Sequence, residues 1–123
     1  MDDKELLEAA ARAAGLTRVT ISETPALGLH AWAKSLFDEC GSGVWNPLTD
    51  DGDALRLAVK LNLVIVIKAH ECEVFSEDGD YLASVSTMMT NPYAATRRAI
   101  VRAAAEIGSG HNAGDKPPKV GLD

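Results

Sequence analysis

The stretch that decides the fold runs from Trp45 to Ile67 and reads WNPLTDDGDALRLAVKLNLVIVI. Asn46-Pro47 predicts a turn, because the residue before a proline is pushed out of the helical region of backbone conformation. Thr49 or Asp50 can then cap a helix by accepting hydrogen bonds from backbone N–H groups that have no partner within the helix. The stretch therefore predicts a turn, a helix and then a strand.

The predicted helix is acidic at its start and apolar along most of its surface. Asp51 and Asp53 lie where the helix dipole favours negative charge. Only Arg56 and Lys60 interrupt the apolar residues that follow, so most of the helix surface should be buried. The run Leu63–Ile67 is apolar throughout and rich in β-branched residues, which is typical of a strand covered on both faces.

The elements predicted after this stretch are a strand at His70–Phe75, a hairpin turn at Glu77–Asp80, a return strand at Tyr81–Thr87 and a helix at Pro92–Ile107. The turn is predicted because Asp-Gly readily adopts the left-handed conformations that tight hairpins need. Asn91 should cap the last helix and Gly108 should end it. Tyr93 and Ile100 are among the residues that this helix should bury.

The N-terminal third predicts two helices and a short strand. Asp2–Ala14 has an acidic start and is followed by Gly15, a typical helix stop. Residues 17–22 alternate between polar and apolar and predict a strand. From Thr24-Pro25 onward a second helix is predicted, because an apolar stripe recurs at helical spacing. The stripe consists of Leu29, Trp32, Leu36 and Phe37.

These elements predict the α+β class, with a three-stranded antiparallel sheet sandwiched by helices and a four-stranded sheet as the alternative. The core should be α-β-β-β-α over residues 45–108, with a helical extension over 1–44. With 123 residues, the chain is expected to form one domain over 1–108. Residues 109–123 have no apolar period and predict a mobile tail.

Composition narrows the possible partners. The formal net charge of −6 disfavours indiscriminate binding to nucleic acid or to an anionic membrane. Cys40 and Cys72 form no close pair in the sequence, which favours reduced thiols and a cytoplasmic location. The longest apolar run is far too short to span a bilayer.

Two segments carry a family resemblance, WNPLTDDGDALRLAVKL at Trp45–Leu61 and NPYAATRRAIVRAAAEIG at Asn91–Gly108. They resemble small phage and prophage proteins described as having a phage ABA-sandwich domain. The resemblance covers roughly residues 45–108 and implies a helix–sheet–helix sandwich and a phage-related origin in a bacterial host. It implies no activity, so no functional residues carry over from the family.

No catalytic or cofactor constellation is visible in the sequence. Neither DGD triplet is followed by the glutamate that a calcium-binding EF-hand loop needs at its twelfth position. His70 and Cys72 alternate on one predicted strand, but without paired metal-ligand spacing or an orienting third group. Glu71 and Glu73 are best explained as a solvated hairpin rim. We therefore expect no metal and no cofactor, and an enzyme is the least favoured class.

Arg97, Arg98 and Arg102 on the last helix form the most prominent polar cluster. They predict either a solvated helix face or a patch that contacts phosphates. The favoured function is a non-enzymatic accessory protein that binds a host or phage protein, with nucleic-acid binding as the alternative. The apolar stripe of Leu29, Trp32, Leu36 and Phe37 adds the expectation of a two-fold homodimer.

Overall fold

The computed structural model describes residues 2–26, 28–34, 44–88 and 90–109. Within them the strands form two antiparallel three-stranded sheets, in the orders β1-β2-β3 and β4-β5-β6. The α+β class and the α-β-β-β-α order of the core are confirmed. The elements are α1 (Asp3–Ala14), β1 (Thr17–Thr24), β2 (Gly28–Lys34), β3 (Val44–Trp45), α2 (Asp51–Lys60), β4 (Val64–Ile67), β5 (Glu71–Phe75), β6 (Tyr81–Ser86) and α3 (Pro92–Ser109).

Helix α2 starts as the sequence predicts but is buried on one face only. The Asp50 side chain accepts a hydrogen bond of 2.8 Å from the backbone N–H of Asp53, so Asp50 is the cap. Leu57 is fully buried in the core. Leu55 and Val59 are 61% and 68% exposed, so the expectation of a mostly buried helix is wrong for this side.

Strand β4 was expected to be covered on both faces, and this expectation is wrong. It lies at the edge of its sheet, and its two end residues, Val64 and Ile67, are exposed. The central strand is β5, whose residues alternate between buried and half-buried because α3 packs on one face of it. A run of apolar, β-branched residues indicates a strand, but it does not indicate whether the strand lies at the centre or at the edge of its sheet.

The predicted second helix is also wrong, because residues 28–34 form strand β2. This strand pairs with β1 in an antiparallel hairpin in which Ile21 faces Ala31, and Gly28 adopts a φ of 67° at the turn. Ala31 is fully buried, while Leu29 is half-buried and packs against the core. The hairpin covers α1, and this tertiary packing outweighs the helical spacing of the apolar residues.

Helices α1 and α3 make the closest helix pair of the fold. Small side chains fill their interface, and a Cβ added to Gly108 would lie 1.8 Å from the backbone oxygen of Ala9. Gly108 was expected to end the last helix, but α3 runs to Ser109, so Gly108 lies inside the helix. Asn91 caps the start of α3 as predicted, with its Oδ1 atom 2.7 Å from the N–H of Ala94.

Tyr93 was expected to be buried and is instead 70% exposed. None of the described helices is long and apolar enough to cross a membrane. The predicted tail lies outside the described residues apart from Ser109, which belongs to α3.

Candidate functional site

An apolar groove of about 470 Å³ lies between α2, α3 and the edge strand β4, and we call it the α2–β4–α3 groove. Ile65 and Ile67 of β4 line its floor. Leu55 of α2 and Tyr93 of α3 line its two sides. The groove is therefore a product of three elements that are close in space and separated in sequence.

The groove leaves large apolar side chains in contact with solvent. Leu55 is 61% exposed, Ile67 is 64% exposed and Tyr93 is 70% exposed. Val59, one helical turn after Leu55, is 68% exposed and extends the apolar surface along α2. Single exposed apolar residues are ordinary on protein surfaces, but several around one groove are typical of an interaction site.

An ion pair fixes the polar end of the groove. The Nη1 atom of Arg97 lies 2.6 Å from Oδ1 of Asp51, and its Nε–H donates to the backbone oxygen of Leu48 at 2.9 Å. The Arg97 side chain is only 19% exposed. These bonds connect the start of α2 and the turn before it to α3, so the two helical walls are linked at this end of the groove.

The β4 edge beside the groove presents backbone hydrogen-bonding groups. The N–H of Lys68 donates to the oxygen of Glu71 at 2.8 Å, and in this register Val66 is the next hydrogen-bonded residue of β4. Antiparallel pairs alternate, so the N–H and C=O groups of Ile65 and Ile67 point away from β5. No strand of the described chain pairs with this edge.

The three candidate arginines do not form one patch. Arg97 binds Asp51 of α2. Arg98 extends to α1, where its two terminal nitrogens donate to the two carboxylate oxygens of Asp3 at 3.0 and 3.1 Å. The Arg98 hydrogen bond holds the pKa of Asp3 below its ordinary value, against the opposing effect of partial burial. Arg102 is exposed and lines a separate groove beside β6.

The other candidates from the sequence are dispersed as well. His70 is exposed in the turn between β4 and β5, whereas Cys72 is fully buried. Burial raises the pKa of the Cys72 thiol, which keeps it protonated and unreactive. Glu73 pairs with Lys68 at 3.0 Å on the opposite face of the sheet from Cys72. Among the described residues no three His, Cys, Asp or Glu side chains converge as metal ligands.

A polar pocket of about 360 Å³ beside α2 has a structural explanation. The backbone N–H of Asn46 donates to Asp53 at 2.9 Å, and the other oxygen of Asp53 pairs with Arg56 at 2.7 Å. The Asn46 side chain in turn donates to the backbone oxygen of Leu29. The buried His30 bonds through Nδ1 to the oxygen of Gly28 at 2.8 Å. These contacts fasten β2 to the start of α2.

The predicted self-association stripe lies largely outside the described residues. Leu36 and Phe37 belong to that part of the chain, as does the side chain of Trp32. Leu29 packs against the core. The surface that sequence reasoning missed is the groove, whose only sequence signal was the unbroken apolar run of β4 with no charge to protect an edge.

No protein-family model, no curated protein and no solved structure matches this chain. The resemblance to phage ABA-sandwich proteins therefore stays a prediction, and the groove with the strand edge beside it is the feature that bears on function.

Proposed function

We propose that this chain is a non-enzymatic binding module that holds an extended apolar segment of another polypeptide along the β4 edge. The observation that carries the proposal is the joining of an open strand edge to the α2–β4–α3 groove. Strand addition of this kind takes affinity from main-chain hydrogen bonds and specificity from pockets that receive alternate side chains.

Both requirements are present at β4. The outward N–H and C=O groups of Ile65 and Ile67 can accept an antiparallel strand without changing the existing sheet. Every second side chain of that strand would lie on the face that carries the groove, between Leu55 and Tyr93. An apolar side chain placed there removes these exposed residues from water, which is the main source of binding energy at such sites.

The resemblance of residues 45–108 to phage proteins supports an accessory role encoded by a phage or prophage. The corresponding partner is a phage or host protein in the bacterial cytoplasm. Nucleic acid remains the alternative partner, and it is disfavoured because Arg97 and Arg98 already bind carboxylates that a phosphate would have to displace.

Selection from a random peptide library tests the proposal. The wild-type protein should enrich peptides with apolar residues at every second position, because one face of the added strand enters the groove. Leu55→Glu should weaken binding of the selected peptides at least tenfold, since a tenfold change requires only about 1.4 kcal/mol. Leu55 is exposed, so this substitution should leave the fold intact.

Two controls decide whether the groove and the strand edge are responsible. Tyr81→Ala changes an exposed aromatic residue on the far strand β6 and should leave peptide binding unchanged. Methylation of the peptide backbone nitrogens that face β4 should abolish binding, whereas methylation of the alternate nitrogens should not. Peptides without an apolar alternation, or binding that survives Leu55→Glu, would contradict the proposal.

A further inference from the structure

We infer that the β4 edge is occupied by the β4 strand of a second copy of this chain when no partner segment is bound. The inference rests on the proposed function, since it concerns the same edge and adds how access to it is regulated. Two copies would form a continuous six-stranded sheet across a two-fold axis.

The two edges of the β4-β5-β6 sheet differ in how they are protected. Strand β6 pairs with β5 through an irregularity that leaves Leu82 as an extra residue, and it carries Ser84 and Ser86. A β-bulge is one of the devices that keep an edge from pairing. Strand β4 is VIVI, in regular register and without a charge or a proline, so it has no such protection. Of the two edges of the β4-β5-β6 sheet, only the β4 edge is therefore available, and association by that edge ends at two copies.

One register satisfies both outward-facing residues of β4. When Ile65 of one copy lies opposite Ile67 of the other, symmetry provides the reciprocal pair, and all four outward N–H and C=O groups of each strand are paired. Val66 then lies on the two-fold axis, opposite its own copy. The interface is isologous, as in most homodimers.

The same arrangement covers exposed apolar side chains. Ile67, which is 64% exposed, would lie against Ile65 of the second copy on the face that carries the helices. Leu55 of α2 lies on that side of the sheet as well, because it lines the groove together with Ile65 and Ile67, and its exposed side chain would approach the second copy near the axis. A partner segment and a second copy thus compete for the same backbone groups and the same groove.

A cysteine pair tests the register directly. In a chain with Cys40→Ser, Val66→Cys should form a covalent dimer on mild oxidation. The two Cα atoms would be about 4.5 Å apart, as expected for a pair that is not hydrogen-bonded. Val64→Cys is the matched control on the same strand face. Its copies would be about 13 Å apart along the strands, too far for a disulfide.

A second measurement compares the edges without cross-linking. Sedimentation at high micromolar concentration should give a dimer for the wild type and for Tyr81→Lys at the β6 edge, but a monomer for Ile67→Lys. Both substituted residues are exposed, at 55% and 64%, so the two variants are comparable. A monomeric wild type, a dimeric Ile67→Lys variant, or equal cross-linking of Val64→Cys and Val66→Cys would overturn the inference.

Peptide binding separates this inference from the proposed function. The oxidised Val66→Cys dimer should lose binding to the library-selected peptides by at least tenfold, and reduction with dithiothreitol should restore it. Full binding by the oxidised dimer would overturn the inference while leaving the proposed function in place. If no apolar peptide is selected at all, the proposed function fails, and the cross-linking result still decides whether the edges pair.

Discussion

The two sides of helix α3 differ in how much apolar surface they leave exposed to solvent. On the side of α1, alanine and glycine let the helices approach so closely that the interface is filled. On the side of α2 and β4, larger residues stay apart, and Leu55, Ile67 and Tyr93 remain exposed around a groove. The difference separates a surface that holds the fold together from a surface that is available to a partner.

Polar contacts follow the same division. On the α1 side, Arg98 binds Asp3 through both terminal nitrogens and adds an ion pair to a contact that is already closed. On the α2 side, Arg97 binds Asp51 and the backbone of Leu48, at one end of the groove only. The ion pair on the open side therefore links the two walls at one end and leaves the apolar floor uncovered.

Two leucines of α2 should give the largest contrast in stability. Leu57→Ala empties a fully buried site and should lower the free energy of unfolding by about 2–5 kcal/mol. Leu55→Ala, two residues earlier and 61% exposed, should change it by less than about 0.5 kcal/mol. Urea denaturation measures both. Equal losses would mean that the groove side of α2 is part of the core, and the comparison would fail.

Alanine substitutions at two glycines should change the free energy of unfolding in opposite directions. Gly108→Ala places a methyl group against the backbone of Ala9, where no side chain can move aside, and should cost about 1–3 kcal/mol. Gly52→Ala in α2 meets only side-chain atoms, Oδ2 of the capping Asp50 at 3.2 Å and the terminal nitrogens of Arg56 at 3.4 Å, which need to shift by only a few tenths of an ångström. Because alanine favours a helix over glycine, this variant should gain about 0.5 kcal/mol. A neutral Gly108→Ala in the same denaturation series would show that α1 and α3 are not closely packed.

Much of the second half of the fold could be predicted from local sequence. The caps at Asp50 and Asn91 and the hairpin turn at Asp78-Gly79 depend on neighbours within a few residues, and all three are confirmed. These features follow from backbone hydrogen bonds that must be satisfied locally. For this reason the order α-β-β-β-α was predictable.

The errors all concern contacts between distant parts of the chain. Strand β2 has a helical spacing of apolar residues but is fixed by pairing with β1. The edge position of β4 and the exposure of Tyr93 depend on where α2 and α3 come to lie. The candidate groove could not be predicted for the same reason, since it combines residues from three elements.

The ion pair on the closed side of α3 should make a small, pH-dependent contribution. The pKa of Asp3 is lowered in the folded protein, so its contribution is present at neutral pH and is lost as the pH falls through the folded-state pKa. Asp3→Asn should cost less than about 1 kcal/mol at pH 7, because the Asp3 side chain is 44% exposed and water screens the pair.

Denaturation at pH 7 and at acidic pH checks this contribution. The difference between wild type and Asp3→Asn should shrink as the pH is lowered, and Asp78→Asn in the exposed hairpin turn is the control. A difference that grows at acidic pH would have the wrong sign for a lowered carboxyl pKa. It would contradict a stabilising role for the Asp3–Arg98 ion pair.

The smallest expected effect is the response to nucleic acid, which should be absent at physiological salt. A phosphate contact at Arg98 would have to break its pair with Asp3, and one at Arg97 would have to break its pair with Asp51. The net charge of −6 further opposes the approach of a polyanion. Fluorescence titrations with short double-stranded RNA, double-stranded DNA and single strands should therefore be flat.

Should binding appear at low salt, Arg98→Ala with Arg102→Ala ought to lower the slope of log affinity against log salt by about two units on duplex DNA, because each lost phosphate contact releases one counterion fewer. Tight binding that persists at physiological salt and disappears in this double variant would assign the partner surface to the α1 side of α3 and reverse the comparison.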